Sequence, residues 1–449
     1  MIDAHHDERR LSMAYRDMYP AQPDPRQAQR SGIARSAVVL CTFLFSFGFP
    51  GKLANFFGGD RISMLLQYVL FAVQIVIMLI SSGDSLMDVK VIDLKKEFTP
   101  IYFLLGLFFA TSMLVTHDLS SQLISCLRFS VTAMFAISVV QWYDVKQILT
   151  FTYWAQSVIV LLCLMYMLAL PSQAFAMVDG ERSFIGMFPG KNVCGAQLAF
   201  GLSMQAALLR LHLNEGRQPS AFFYVILLLQ LLMLVMSRAV GSLISGGVPV
   251  AYVLLSRGSR GPFRRLPIGM LYILGSVGFL VFALNLMPML EPVLAMIGKD
   301  ATLTGRIPMW QQHVSNLLSS HTFTGYGFAM FWENDLAVEA FHAAFDENSW
   351  AGSMTTGAHN ELIELWLDVG LIGMGAYFFM LWRSFRRIGG MREDVYAFCI
   401  AMMLGFLIKG LTERTHSTAS FWTLYMFLSC ALALKDQASQ QTQQPRLRT

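Results

Sequence analysis

The side chains best suited to chemistry are histidines and arginines placed beside glycine turns and helix starts. In Ala358–Gly370, which reads A-H-N-E-L-I-E-L-W-L-D-V-G, His359 stands where a long apolar helix begins. The positive end of a helix dipole favours the neutral imidazole, which can accept a proton. A general base of this kind contributes roughly 10²- to 10⁴-fold to a rate. Asn360, Glu364 and Asp368 recur at every fourth residue, so they share one helix face and carry acids into the apolar length. Taken by itself, His359 reads more simply as a polar cap at a membrane interface.

Three further segments offer cations. Gly298–Trp310, G-K-D-A-T-L-T-G-R-I-P-M-W, puts Thr302, Thr304, Gly305 and Arg306 before an amphipathic stretch from Met309 to Leu318, with Thr304 as the expected cap. A helix start next to an arginine suits a phosphate or diphosphate, because free N–H groups and the guanidinium fork both face it. A pairing of Arg306 with Glu333, Asp335 or Asp346 explains it as well. Glu181–Asn192, E-R-S-F-I-G-M-F-P-G-K-N, supplies Arg182 and Lys191, with Pro189, Gly190 and Asn192 as turn and cap; contact with lipid headgroups is the alternative. Ser237–Gly247 contains Arg238 in a very short link, where Gly241, Ser242, Ser245 and Gly246 suit close helix packing. Thr412–Ser417, T-E-R-T-H-S, adds Arg414 and His416, with Lys409 just before it and Glu413 as a simple neutraliser of Arg414. Arg128, inside an apolar run, is either an interior ion-pair member or a snorkelling side chain.

The elements that position these residues are membrane helices. The chain of 449 residues is 55% hydrophobic and 14% charged, with a mean hydropathy of +0.50, too apolar for a soluble domain of that length. A spanning helix needs roughly 20 apolar residues, and about twelve stretches qualify. They run near 33–49, 62–82, 98–115, 122–142, 148–170, 193–213, 221–236, 240–256, 268–286, 360–382, 395–411 and 419–434. The expected fold class is therefore an all-α polytopic membrane protein of about twelve transmembrane helices, with a large periplasmic loop between the ninth and tenth.

The expected organisation is a cytoplasmic tail over 1–32, nine helices over 33–287, a periplasmic cap over 288–358, three helices over 359–434 and a cytoplasmic tail over 435–449. The loop carries Trp310, Phe323, Tyr326, Phe328, Phe331, Trp332, Phe341, Phe345 and Trp350, too many aromatics for a disordered linker. Arg26, Arg30, Arg35, the 257–265 basic run, Arg383, Arg386, Arg387, Arg392, Lys435, Arg446 and Arg448 all fall on one side, which the positive-inside rule makes cytoplasmic. The other side keeps a few isolated cations, Lys52, Arg61, Arg182, Lys191, Arg238, Lys299, Arg306 and Arg414, which invites a purpose besides topology. The polar first thirty residues lack the apolar core of a signal peptide. Cys41, Cys126, Cys163, Cys194, Cys399 and Cys430 have no CxxC spacing and read as reduced, buried thiols. Neither H-E-x-x-H nor G-x-x-x-x-G-K-[ST] occurs, so no metal or nucleotide cofactor is expected, and the +4 net charge does not suggest nucleic acid.

The run G-K-D-A-T-L-T-G-R with Trp310, then G-Y-G-F at Gly325–Phe328, then A-H-N-E-L, resembles the O-antigen ligase and polysaccharide polymerase superfamily, and most closely its Wzy-type exopolysaccharide polymerases. The resemblance implies a metal-independent, inverting glycosyl transfer at the periplasmic face of the bacterial inner membrane. One undecaprenyl-diphosphate-linked oligosaccharide is donor, a second glycan is acceptor, and undecaprenyl diphosphate leaves. His359 matches the family histidine, and Arg238 and Arg306 match arginines for the diphosphate; these three are the expected catalytic residues. Arg182, Lys191, Asn192, Asn360, Glu364 and Arg414 are the expected substrate-binding set. Membrane lipid, a chain-length regulator and export proteins are the expected partners. A ligase moving a finished glycan, or a transporter of lipid-linked oligosaccharide, stays open; a transporter should show repeats and broken helices at mid-membrane.

Overall fold

The computed structural model describes residues 25–46, 60–82, 95–178, 180–256, 268–292, 296, 302–303, 305–345, 357–416 and 420–443. Thr304, Lys52, Lys299, Asp346, Trp350, Arg446, Arg448, the 257–265 basic run and residues 1–24 lie outside them, as do the side chains of Arg26, Arg30 and Arg61.

The chain is almost wholly helical. The helices are α1 (Pro25–Ser46), α2 (Asp60–Ser82), α3 (Thr99–Val115), α4 (Leu119–Trp142), α5 (Val145–Ala169), α6 (Lys191–Asn214), α7 (Ala221–Met236), α8 (Val240–Leu255) and α9 (Ile268–Asn285). After the short helices α10 (Arg306–Asn316) and α11 (Asp335–His342) come α12 (Glu361–Phe385), α13 (Glu393–Gly410) and α14 (Phe421–Gln443). Apart from α10 and α11, each coincides with one of the apolar stretches in the sequence. By length and composition, 5 helices among the described residues suffice to cross a membrane, and α1, α2, α7, α8 and α9 contain shorter apolar segments. The fold is that of an all-α, multi-pass membrane protein. One hairpin, β1 (Phe175–Val178) with β2 (Glu181–Phe184), interrupts the helices.

Helix starts follow their caps. Asp118 accepts from Ser120 N and Ser121 N to begin α4, Asp144 forms a capping box with Gln147 for α5, and Ser220 accepts from Phe223 N for α7. In the interior, α6 is the most buried of the five helices long enough to span, packed by α5, α7, α8 and α13. Small residues permit that approach: a Cβ on Gly246 would lie 2.9 Å from Ala199 Cα, and one on Gly195 2.7 Å from Ala239 Cβ. Gly246 and Ser242 therefore do the packing expected of them, whereas a Cβ on Gly241 would meet only Thr412, at 3.8 Å. At the far end, helix α14 continues past Leu434 to Gln443, because Lys435, Gln437 and Gln440 donate to Val140 O, Ser384 O and Gly390 O.

Residues 302–345 fold as a cap on the ends of α9 and α12. Its aromatic core joins Trp310, Leu317, Phe331 and Phe341 to Ala283, Ile363 and Leu367. The amphipathic helix begins at Arg306, with Gly305 (φ 81°) in the N-cap position, and ends in a π-helical turn, Leu317–His321. The G-Y-G-F turn inserts into the bundle. Phe328 N donates to Ser112 Oγ at 3.0 Å, and Gln122 Nε2 donates to Phe328 O at 3.0 Å.

Helix α12 is broken at Gly370 (φ 64°, ψ −171°). The cap fills the break: Leu371 N donates to Thr322 O, Ile372 N to Phe323 O, and Tyr326 N to Leu367 O. A Cβ on Gly370 would lie 2.2 Å from the Phe323 carbonyl carbon, so only glycine fits. Protein, rather than open space, occupies the interruption.

Candidate functional site

The polar face of α12 predicted by the fourfold spacing turns toward the segment Leu411–His416. Asn360 caps α12, accepting from Leu362 N and Ile363 N, and donates to Leu411 O at 3.0 Å. Glu364 receives Arg414 Nη1 at 2.7 Å, and Asp368 lies 3.0 Å from His416 Nε2. One helix face thus grips one loop at three levels.

Glu413 organises the exposed edge of this contact. Its Oε2 is 2.8 Å from His359 Nδ1, while Oε1 accepts from Arg306 Nη2 at 3.2 Å and from Asn192 Nδ2 at 3.4 Å. Lys409 Nζ stands 3.9 Å from the same Oε1. Burial alone would raise the Glu413 carboxyl, but the His359 hydrogen bond and the nearby cations hold it below the usual carboxylate range. Four elements meet here: the start of α6, the start of α10, the entry to α12 and the end of α13. Of the alternatives for Arg306, neither Glu333 nor Asp335 is its partner, and Glu413 does not neutralise Arg414.

His359 holds a left-handed backbone, φ 49°, as does Arg238, φ 52°. Such a conformation costs a non-glycine residue on the order of 1–3 kcal/mol and persists only where the surroundings enforce it. At His359 the enforcing contacts are visible on either side. Ala358 N donates to Glu364 Oε2, Trp310 Nε1 donates to Ala358 O at 2.8 Å, and Asn360 begins the helix. Glu364 also accepts Trp332 Nε1 at 3.2 Å, so this buried carboxylate is occupied by three protein donors. The structure gives Glu364 and Arg414 to each other and to the setting of Ala358–His359. A carboxylate on Nδ1 makes that nitrogen the donor and leaves the lone pair on Nε2.

The remaining candidates lie toward the β1–β2 hairpin. Arg238 Nη1 pairs with Glu181 Oε2 at 2.6 Å, both half exposed or more, and Arg182 lies over the Phe175 ring, 4.5 Å from its centroid. Ala239, beside Arg238, packs on Gly195 one turn into α6, near Asn192 and Lys191. Lys191 directly precedes Asn192, whose side chain reaches Glu413. Sequence spacing could not reveal Glu413 as the hub, because its partners come from positions 107, 54 and 221 residues away. Arg128 sits apart, its guanidinium 4.5 Å from the centroid of the exposed Tyr68 ring.

A multi-pass helical membrane protein with a charged cluster under a helical cap is the class that fold and site define. Residues 223–378, which include Arg238, Arg306 and His359, match the family described as O-antigen ligase. The exopolysaccharide production protein ExoQ of Rhizobium meliloti is 28% identical over 216 residues, 47% of this chain and 48% of that protein. The chain thus matches about half the length of this curated relative. No solved structure matches. Over these stretches the chain is similar to the O-antigen ligase family and to an exopolysaccharide production protein.

Proposed function

We propose that this protein joins undecaprenyl-diphosphate-linked oligosaccharide repeat units by inverting glycosyl transfer, as a polymerase of bacterial exopolysaccharide or O-antigen. The observation that carries the reading is Glu413, which binds His359 Nδ1 and Arg306 at once. In the reaction, an acceptor hydroxyl gives its proton to His359 Nε2 as its oxygen attacks the anomeric carbon. The bond from that carbon to the diphosphate oxygen breaks, and the lipid diphosphate departs with the bonding pair. Glu413 stabilises the imidazolium that forms.

With Glu413 ionised and His359 neutral, the two cations beside them leave one net positive charge. That charge suits a leaving diphosphate. Arg182 and Lys191 extend the positive surface toward the rest of the carrier with Asn192 at its edge, Arg238 joins them through its pair with Glu181, and buried Asn360 acts by capping α12. Glu364 and Arg414 act by holding the Ala358–His359 turn. The cap faces the periplasm of the inner membrane and both termini face the cytoplasm, consistent with Arg383, Arg386 and Arg387 at the opposite end of α12. A chain-length regulator and export proteins would act on the product. A ligase shares the donor half of this chemistry and differs in its acceptor. A broken helix is what the transporter reading expects; in α12 the cap backbone fills that break.

The test uses a strain deleted for the gene, complemented with wild type, His359→Ala or Arg306→Ala, with membrane levels checked. Single repeat units on the carrier in the deletion and both variants, with long chains restored by wild type, support polymerisation. Long carrier-linked chains that never reach another acceptor identify a ligase, and unchanged products with both variants refute the site.

A further inference from the structure

Glu413 follows α13 directly, its N–H and that of Thr412 both donating to Lys409 O, and from there the chain to His416 leaves the helix. A second anchor lies three residues on. The His416 side chain is 1% exposed; its Nδ1 is 2.9 Å from Glu361 Oε1 and its Nε2 is 3.0 Å from Asp368 Oδ2. The other Glu361 oxygen accepts from Thr415 N at 2.7 Å, from His416 N at 3.1 Å and from the Thr415 hydroxyl. The other Asp368 oxygen accepts from Ala329 N at 3.0 Å, directly after the G-Y-G-F turn. Ala329 itself has φ 60°. With both carboxylates ionised, a ring with a carboxylate oxygen at each nitrogen carries a hydrogen on both, which is the imidazolium. Burial would lower the His416 ring, but Glu361 and then Asp368 outweigh it and hold it at about 10.

The groups facing His416 come from every neighbouring element. Glu361 and Asp368 belong to α12, where Glu364 pairs with Arg414 between them, and the Phe328 ring of the cap turn stands 6.2 Å away. We propose that His416 is a positioning residue, a charged strap between Glu361 and Asp368 that holds Glu413 in register with His359 and Arg306 and ties that register to the seated cap. The inference rests on the general-base reading of His359. Without the imidazolium these two buried carboxylates keep only neutral donors in direct contact, and the segment carrying Glu413 relaxes.

The test uses the full chain in nanodiscs and diethyl pyrocarbonate at pH 6, with modification of each histidine peptide followed by mass spectrometry. The reagent attacks accessible ring nitrogen, so release of the ring from the Glu413 carboxylate that covers Nδ1 speeds reaction at His359. His416→Gln is expected to accelerate His359 modification roughly 3- to 10-fold, matching Glu413→Gln. The double variant His416→Gln with Asp368→Asn, which removes one charge of each sign, should return part of the way to wild type. His313, enclosed in the cap core, should stay slow throughout. An unchanged His359 rate in His416→Gln, with a rise in Glu413→Gln, overturns the strap while sparing the base. A joint rise at His313 and His359 also overturns it, by reducing His416 to a general support of the fold. No rise in Glu413→Gln removes the His359–Glu413 pairing itself, and the strap with it.

Discussion

Glu413 takes His359 on one oxygen and Arg306, Asn192 and Lys409 on the other, which makes it the residue on which base and cations both depend. Glu413→Gln keeps the size and removes the charge. We expect chain elongation in isolated membranes to fall about 10- to 100-fold at equal protein level, less than for loss of His359 itself. A rate within twofold of wild type would deny Glu413 this role. At this scale the sequence is informative about residues on one helix and poor about partners far apart. The spacing of Asn360, Glu364 and Asp368 predicts a shared face, and the structure turns that face to a single loop. It assigns Glu413 to Arg414, its neighbour in the chain. The fold instead sends adjacent side chains to different partners, Glu413 to His359 and Arg414 to Glu364. The left-handed backbones of His359 and Arg238 have no signature in residue type, since neither position is glycine.

The cap is the element whose seating forms the site, because α10 brings Arg306 and Trp332 reaches Glu364. His313 lies at its centre, fully buried and stacked on Phe341 with ring centroids 4.4 Å apart. Burial pushes this imidazole down from 6.5 to about 4, against a weaker opposite pull from Glu364. A folded value below the unfolded one means that protonation favours the unseated cap. Its contribution is therefore intact above about 6.5 and is lost as pH falls from there toward about 4, by up to about 3 kcal/mol. Limited proteolysis of the cap should accelerate across that window in wild type and show a flatter profile in His313→Phe. Equal pH profiles would contradict this. Aromatic content makes a folded cap legible in the sequence, and the amphipathic pattern finds α10 to within three residues of its start. The break at Gly370 is not legible, because an isolated glycine in an apolar helix is ordinary and only the inserted Thr322–Phe323 backbone makes it obligatory.

Across the whole molecule, hydropathy makes the helices legible because a bilayer demands long apolar stretches with internally satisfied backbone. Their arrangement depends on small-residue contacts such as Gly246 against Ala199, which hydropathy does not encode. The proposed orientation puts the β1–β2 hairpin outside and the end of α6 inside. A membrane-impermeant thiol reagent should label Met177→Cys in intact spheroplasts and Arg217→Cys only after permeabilisation; the reverse pattern would invert the topology. The central claim is that His359, hydrogen-bonded to Glu413 beside Arg306, extends a lipid-linked glycan with release of a lipid diphosphate. The direct measurement takes purified protein in proteoliposomes, with chelator present, and single lipid-linked repeat units from the deletion strain as substrate. Glycan length and free undecaprenyl diphosphate are followed together. Wild type should lengthen the glycan and release one carrier per bond formed, with both products lost in His359→Ala; lengthening that persists in that variant, or carrier release without lengthening, would contradict the account.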